Sequence, residues 1–248
     1  MLLLLPPSET KRDGGADASR LDLAALSSPQ LTPQRRRALA ALRTVSRSVE
    51  AATRALRLGP TMRFEIDRNR AISTSPTMPA LERYTGVVYD HLDVATLAAD
   101  ARAFASGRVA IHSALFGLLD ADDPIPAYRF SHDARVPGLR LRDLWRTPIA
   151  ALLDARAGLI LDLRSEAYVE LGEAPVRAGA VFLRVVTEGS DGAVRALNHF
   201  NKRGKGELVR AILESGVDHD SVDSLIDWAM ASGIHLRHGA PGEVELRV

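Results

Sequence analysis

The sequence predicts an α+β fold, a mixed central β-sheet with surrounding helices in a single domain over residues 1–248. Three observations carry this. Short apolar runs at residues 2–5, 158–163 and 180–188 have strand length and no helical period. Alanine- and leucine-rich stretches bounded by capping and breaking residues alternate with them. A glycine-bearing turn at residues 189–192 reads as the connection of a hairpin, which a purely parallel sheet would lack. With 46% hydrophobic and 25% charged residues over 248 positions, the chain can bury a sizeable core. Disorder, collagen-like repeats and coiled coil are excluded as descriptions of the whole.

Taken in order, residues 2–5 form a strand buried on both faces, stopped by Pro6 and Pro7. The run is too short for a signal-peptide core or a membrane span, so no membrane association is expected and the cytoplasm is the expected compartment. Residues 8–19 are a polar loop. Thr32 and Pro33 open a helical region reaching about residue 58, as one helix or two, and Gly59-Pro60 ends it. Asp93 is placed to cap a helix over residues 93–105. Residues 109–115 read as a strand, followed by a proline-punctuated loop at 120–128. A helix over 141–155 carries Pro148, which should kink it or restart it. Strands at 158–163, 180–188 and 193–200 follow. A basic loop then leads into a helix over 207–214 that ends at Gly216. A helix at 220–231 and a strand at 243–248 complete the chain.

Cysteine is absent, which removes disulfides, zinc ribbons, iron–sulfur clusters and thiol nucleophiles together. His112, His132, His219, His235 and His238 show no ligand spacing with carboxylates, so neither a metal nor a cofactor is expected. Net charge is +1, and affinity for polyanions must come from a local patch. Of 32 basic residues only Lys11, Lys202 and Lys205 are lysine. Asparagine is equally sparse, at Asn69, Asn198 and Asn201. Two of each fall within residues 198–205, the sharpest signal in the chain.

That segment, read as a loop entering a helix, points to phosphate. Helix N-terminal N–H groups attract anions, and Gly204 and Gly206 would let backbone approach closely. Asn201, Lys202, Arg203 and Lys205, with Arg210 a turn further on, supply the polar and cationic side chains. A solvated basic turn is the plain alternative. Walker spacing is absent. Ser8, Glu9 and Lys11 follow the first strand, where ligands commonly meet a sheet. Ser165, Glu166 and Tyr168 follow another strand. There Glu166 could act as general acid or base, or Ser165 could simply cap a helix. Tyr84 and Tyr128, beside Arg129, are candidates for stacking on bases, or else cover a core edge. The arginines from 35 to 37, with Arg43 and Arg47, suit an exposed helical face.

Several segments, in order, resemble the YaaA peroxide-stress protein family. They are the opening Leu-Pro-Pro-Ser-x-x-Lys, Tyr84-Thr85-Gly86, the run at 112–117, Pro126-Ala127-Tyr128-Arg129, Leu144-Trp145, Ser165-Glu166-Ala167-Tyr168 and the basic segment at 202–206. The resemblance implies a cytoplasmic protein that limits free intracellular iron under peroxide stress. It also implies double-stranded DNA binding and an unusual α+β fold with a helix–hairpin–helix element, for which residues 32–42 and the Gly204 region are candidates. On this reading Ser8, Lys11, Arg129, Asn201, Lys202, Arg203, Lys205 and Arg210 face phosphates in one basic cleft, with Tyr84 and Tyr128 near bases. A second reading is an enzyme acting on a nucleotide, nucleobase or nucleic acid, with Glu166, Ser165 and Tyr168 catalytic.

Overall fold

Four consecutive leucines set the middle of the sheet. In the computed structural model, which describes residues 1–188, 194–195 and 198–248, strand β1 (Leu2–Leu5) is buried along its whole length. A long excursion follows: helices α1 (Thr32–Val45), α2 (Val49–Ala55) and α3 (Phe64–Arg70), the short strand β2 (Met78–Pro79), then α4 (Ala80–Arg83), α5 (Val87–Leu92) and α6 (Ala99–Ala105). The chain returns through β3 (Val109–Ser113) and β4 (Gly117–Asp120), passes β5 (Pro124–Ile125), and forms α7 (Leu141–Asp154), β6 (Ile160–Asp162) and α8 (Glu166–Val169). Strands β7 (Ala180–Glu188) and β8 (Val194–Arg195), helices α9 (Asn198–Ser215) and α10 (Val222–Ala231), and strands β9 (Leu236–His238) and β10 (Glu243–Arg247) finish it.

The main sheet runs β4-β3-β1-β6-β7-β10-β9, with β8 paired to β7. Strands β3, β1, β6, β7 and β10 are mutually parallel, and β4 and β9 close the edges antiparallel. The fold is therefore α+β with a mixed central sheet, as the sequence predicts. Parallel order puts the carboxyl ends of β1, β3 and β6 on one side, where chain leaves the sheet and ligands characteristically gather. Strand β7 pairs with β6 from Ala180 as far as Phe182, and beyond that point it continues past the end of β6, paired with β10 as far as Val186.

Three local expectations are corrected, and one pair of alternatives is narrowed. Residues 198–206 are not a strand and loop: they are the first half of α9, an 18-residue helix. The expected turn at 189–192 lies outside the described residues. Helix α6 starts at Ala99, not Asp93. Asp93 instead takes a left-handed conformation (φ 45°) that ends α5, and its carboxylate accepts a bond from Thr96 Oγ1 at 2.8 Å. Helix α7 continues through Pro148, so the proline does not restart it; Leu144, Trp145 and Ile149 are buried around it, and Trp145 Nε1 donates to Ala114 O at 2.8 Å. Tertiary burial outweighs the one lost helical bond. Arg35 leaves the exposed arginine face altogether: it is buried and donates to Phe116 O and Leu118 O, both at 2.8 Å.

The glycines of α9 explain how a strongly basic segment becomes a packed helix. A Cβ on Gly206 would lie 2.3 Å from Val88 O of α5, and one on Gly204 would lie 2.7 Å from Val248 Cγ1. They let α9 sit tightly between α5 and the sheet, rather than letting a phosphate reach the backbone. No hairpin exists at Gly204, and residues 32–42 lie within α1.

Candidate functional site

A cleft of about 620 Å³ opens at the carboxyl side of β1 and β6. One wall is the chain leaving β1, from Pro6 to Thr10, backed by Gly86 to Tyr89. The opposite wall is Arg164 to Glu166 and Tyr168 after β6. Strand β7 closes it with Phe182 to Val185, and α9 contributes Asn201, Lys202 and Lys205, one face of the helix.

Beneath it lies a polar hub built at the end of β6, where the sequence reads as strand through Asp162 and as outgoing chain from Arg164. Asp162 and Arg164 stand two apart on the same face, both buried, and form a bidentate pair at 2.9 and 2.6 Å. Arg164 also donates to Gly172 O and to His112 Nδ1, at 2.7 and 2.8 Å. Because guanidinium only donates, His112 carries its proton on Nε2, which has no partner among the described residues. Burial and then the Arg164 charge hold the His112 pKa well below its usual value. The overlooked signal was a carboxylate inside a run of leucines and isoleucine, since a buried charge requires a partner.

A second buried cluster lies behind the first wall. Lys11 is 6% exposed, with Nζ donating to Ser8 O at 2.9 Å and Glu9 O at 3.3 Å. The same Nζ sits 4.1 Å from the Tyr128 ring centroid and 5.1 Å from that of Tyr84. Burial lowers its pKa to about 7, against a smaller upward pull from Glu65. The Tyr84 and Tyr128 hydroxyls bond each other at 2.6 Å, and Tyr128 bonds Ser113 Oγ at 2.6 Å. Burial pushes Tyr128 up to about 12 and Tyr84 well above its ordinary value. The two tyrosines are 1% and 2% exposed, so neither ring offers a face for a base to stack on. Arg129, also buried, pairs with Glu9, and its backbone is clamped by the Asn69 amide.

The remaining candidates divide clearly. Ser8, Ser165, Glu166, Tyr168, Asn201, Lys202 and Lys205 share the cleft. Lys11, Arg129, Tyr84 and Tyr128 form its buried backing. Arg203 and Arg210 are elsewhere: Arg203 pairs with Glu207 at 2.8 Å, and Arg210 pairs with Glu214 at 2.7 Å while donating to Leu92 O and Asp93 O. Ser165 makes no side-chain capping bond to α8. Glu166 stands 79% exposed at the mouth, 3.6 Å from Arg184. That arginine, which the sequence reading missed, is held more firmly by Glu243 at 2.6 Å. Lys202 is exposed, with no hydrogen bond or ion pair among the described residues. Lys205 is 6% exposed, donates to Arg164 O at 3.3 Å and lies 5.5 Å from the Phe182 ring centroid. Burial lowers its pKa to about 8.

Among the described residues, no three His, Asp or Glu side chains are placed to share a metal ion, and no helix is long and apolar enough to cross a membrane.

Fold and cleft together define an α+β protein with a lysine-bearing polar cleft at the carboxyl edge of a mixed sheet. The chain belongs to the YaaA peroxide stress protein family, whose family model, described as "Peroxide stress protein YaaA", matches residues 1–233. It is 41% identical over 240 residues to a UPF0246 protein of Corynebacterium glutamicum, covering 94% of each chain. A UPF0246 protein of Streptomyces coelicolor is 37% identical over 252 residues, covering 98% of this chain and 94% of the relative. One from Cereibacter sphaeroides is 29% identical over 232 residues, covering 88% of each.

Proposed function

We propose that the cleft binds phosphate groups of double-stranded DNA, and that through this association the protein, acting in the cytoplasm, helps limit free iron under peroxide stress. The carrying observation is the segregation of cations. Two of the chain's three lysines line the cleft and the third backs its wall, whereas Arg203 and Arg210 on other faces of α9 are neutralised by glutamates. Lys202, exposed and unpaired among the described residues, is the natural first contact for a phosphate. A volume near 620 Å³ suits one or two nucleotides, so the duplex would lie across the mouth with one strand turned inward. The effect on iron is proposed as indirect, since no ligand cluster supports chelation among the described residues.

Salt is the test. Anisotropy of a labelled duplex should report affinity falling steeply between about 50 and 200 mM salt, because each phosphate contact releases counterions. A flat response contradicts DNA binding through this cleft.

The cleft's small-molecule size and the largely exposed carboxylate of Glu166 at its mouth favour a second reading, an enzyme acting on a nucleotide, nucleobase or nucleic acid. Glu166 would be its general acid or base, with Ser165 and Tyr168 as hydrogen-bonding neighbours. Glu166→Gln separates the two. Binding survives in the first case, whereas turnover collapses in the second.

A further inference from the structure

We propose that Lys205 is an amine nucleophile that condenses with the carbonyl carbon of a phosphorylated aldehyde held in the cleft. This deepens the phosphate-binding reading above and rests on it.

The argument begins with composition. Where a cation is enough, this chain uses arginine, and only three of its 32 basic residues are lysine. A guanidinium stays protonated and cannot attack carbon, whereas an ammonium can lose its proton and become a nucleophile. A lysine kept within the cleft of an arginine-rich protein is thus kept where amine chemistry has a use.

Geometry then selects one of the three. Lys202 is exposed at the mouth and is assigned to phosphate. Lys11 is buried under two carbonyl oxygens and two tyrosine rings, and it does not line the cleft. Lys205 does line it. One long hydrogen bond to Arg164 O orients its amine, and no carboxylate among the described residues lies within ion-pair distance to hold the proton. The backbone on either side is closely packed: a Cβ on Gly204 would meet Val185, Leu246 and Val248, and one on Gly206 would meet Val88 and His91. Such seating holds a reacting atom in place. Burial lowers the Lys205 pKa to about 8, so about a tenth of the amine is neutral at pH 7.

The step balances without an outside oxidant or reductant. The Nζ lone pair adds to the aldehyde carbon, and the carbonyl oxygen takes a proton to become hydroxyl. Loss of one water then leaves a carbon–nitrogen double bond. Glu166, across the cleft, can relay the proton to the departing hydroxyl. Lys202, three residues earlier on the same helix face, would hold the phosphate. The aldehyde has two possible sources, a free sugar phosphate or an abasic sugar within a DNA strand.

The full chain is incubated with sodium borohydride and either a duplex oligonucleotide carrying one abasic site or 2-deoxyribose 5-phosphate. Borohydride converts the reversible imine to a stable amine. A covalent adduct is expected, mapped by peptide mass spectrometry to Lys205, lost in Lys205→Arg and formed more slowly as pH falls below 8. An adduct with the oligonucleotide identifies the strand as the source; one with the sugar phosphate alone identifies the free metabolite. No adduct from either probe, while the intact duplex still binds with a steep salt response, overturns the nucleophile and leaves the binding reading standing. An adduct mapped to Lys11, Lys202 or the Met1 amine overturns the assignment as well. Mapping on the unaltered chain decides the matter even if Lys205→Arg does not fold.

Discussion

Lys11 and Lys205 are equally buried, at 6% exposure, and each lies beside an aromatic ring, yet one is sealed and the other open. Around Lys11, two carbonyls and two tyrosines occupy every side that matters. Around Lys205, one carbonyl and one ring leave a side facing the cleft. Burial depresses both pKa values, more strongly for Lys11. The more perturbed lysine is therefore the structural one. Access, rather than perturbation, separates a lysine that can react from one that organises a wall.

That comparison can be broken at the hub beneath Lys205, which donates to Arg164 O. Arg164→Ala would strand Asp162 as a buried, unpaired carboxylate and remove the support of His112. A loss of about 3–5 kcal/mol is expected in urea denaturation. A loss under 1 kcal/mol would mean that the hub does not carry the cleft.

The seating of Lys205 is tested next. Gly206→Ala forces a Cβ against Val88 O, a backbone atom that cannot swing aside. A loss of about 1–3 kcal/mol is expected. Gly204→Ala meets the end of the Val248 side chain instead and should cost less in the same assay. Reversal of that order would contradict the packing described for α9.

The two lysines also differ in how they link stability to pH. A lysine whose folded pKa is lowered binds fewer protons folded than unfolded, so stability rises with pH between the two values. For Lys11 the window runs from about 7 to 10.5, and for Lys205 from about 8 to 10.5. Each group contributes up to about 1.4 kcal/mol per pH unit within its window. Denaturation midpoints measured from pH 6 to 10 should flatten from pH 7 upward in Lys11→Met, and only from pH 8 upward in Lys205→Met. Unchanged slopes would show that neither amine is desolvated as described.

Much of this was legible in the residues. The leucines after Met1 and the prolines that stop them fixed a central strand and the loop leaving it. The scarcity of lysine pointed to the segment that supplies the cleft. Local chemistry misled where packing decided the outcome. Glycines 204 and 206 look like loop residues until α5 and the sheet are seen pressing on them, and Asp93 looks like a cap for the wrong helix. Tyr84 and Tyr128 carry no sign in the sequence that their hydroxyls bond each other in the core. Asp162 and Arg164 stand two residues apart where an apolar strand ends, but His112, fifty residues before Asp162, joins them only through the parallel order of β3, β1 and β6.

The central claim, that phosphate meets the inner face of α9 and not its outer face, is tested by two neighbouring residues. Lys202→Ala and Arg203→Ala each remove one positive charge from the same helix turn, but only the first removes it from the cleft. In duplex binding measured against salt, Lys202→Ala should lower the slope of log affinity on log salt by about 0.9, the signature of one lost phosphate contact. Arg203→Ala should leave the slope unchanged. Equal slopes in the two variants, or the larger fall in Arg203→Ala, would contradict the account.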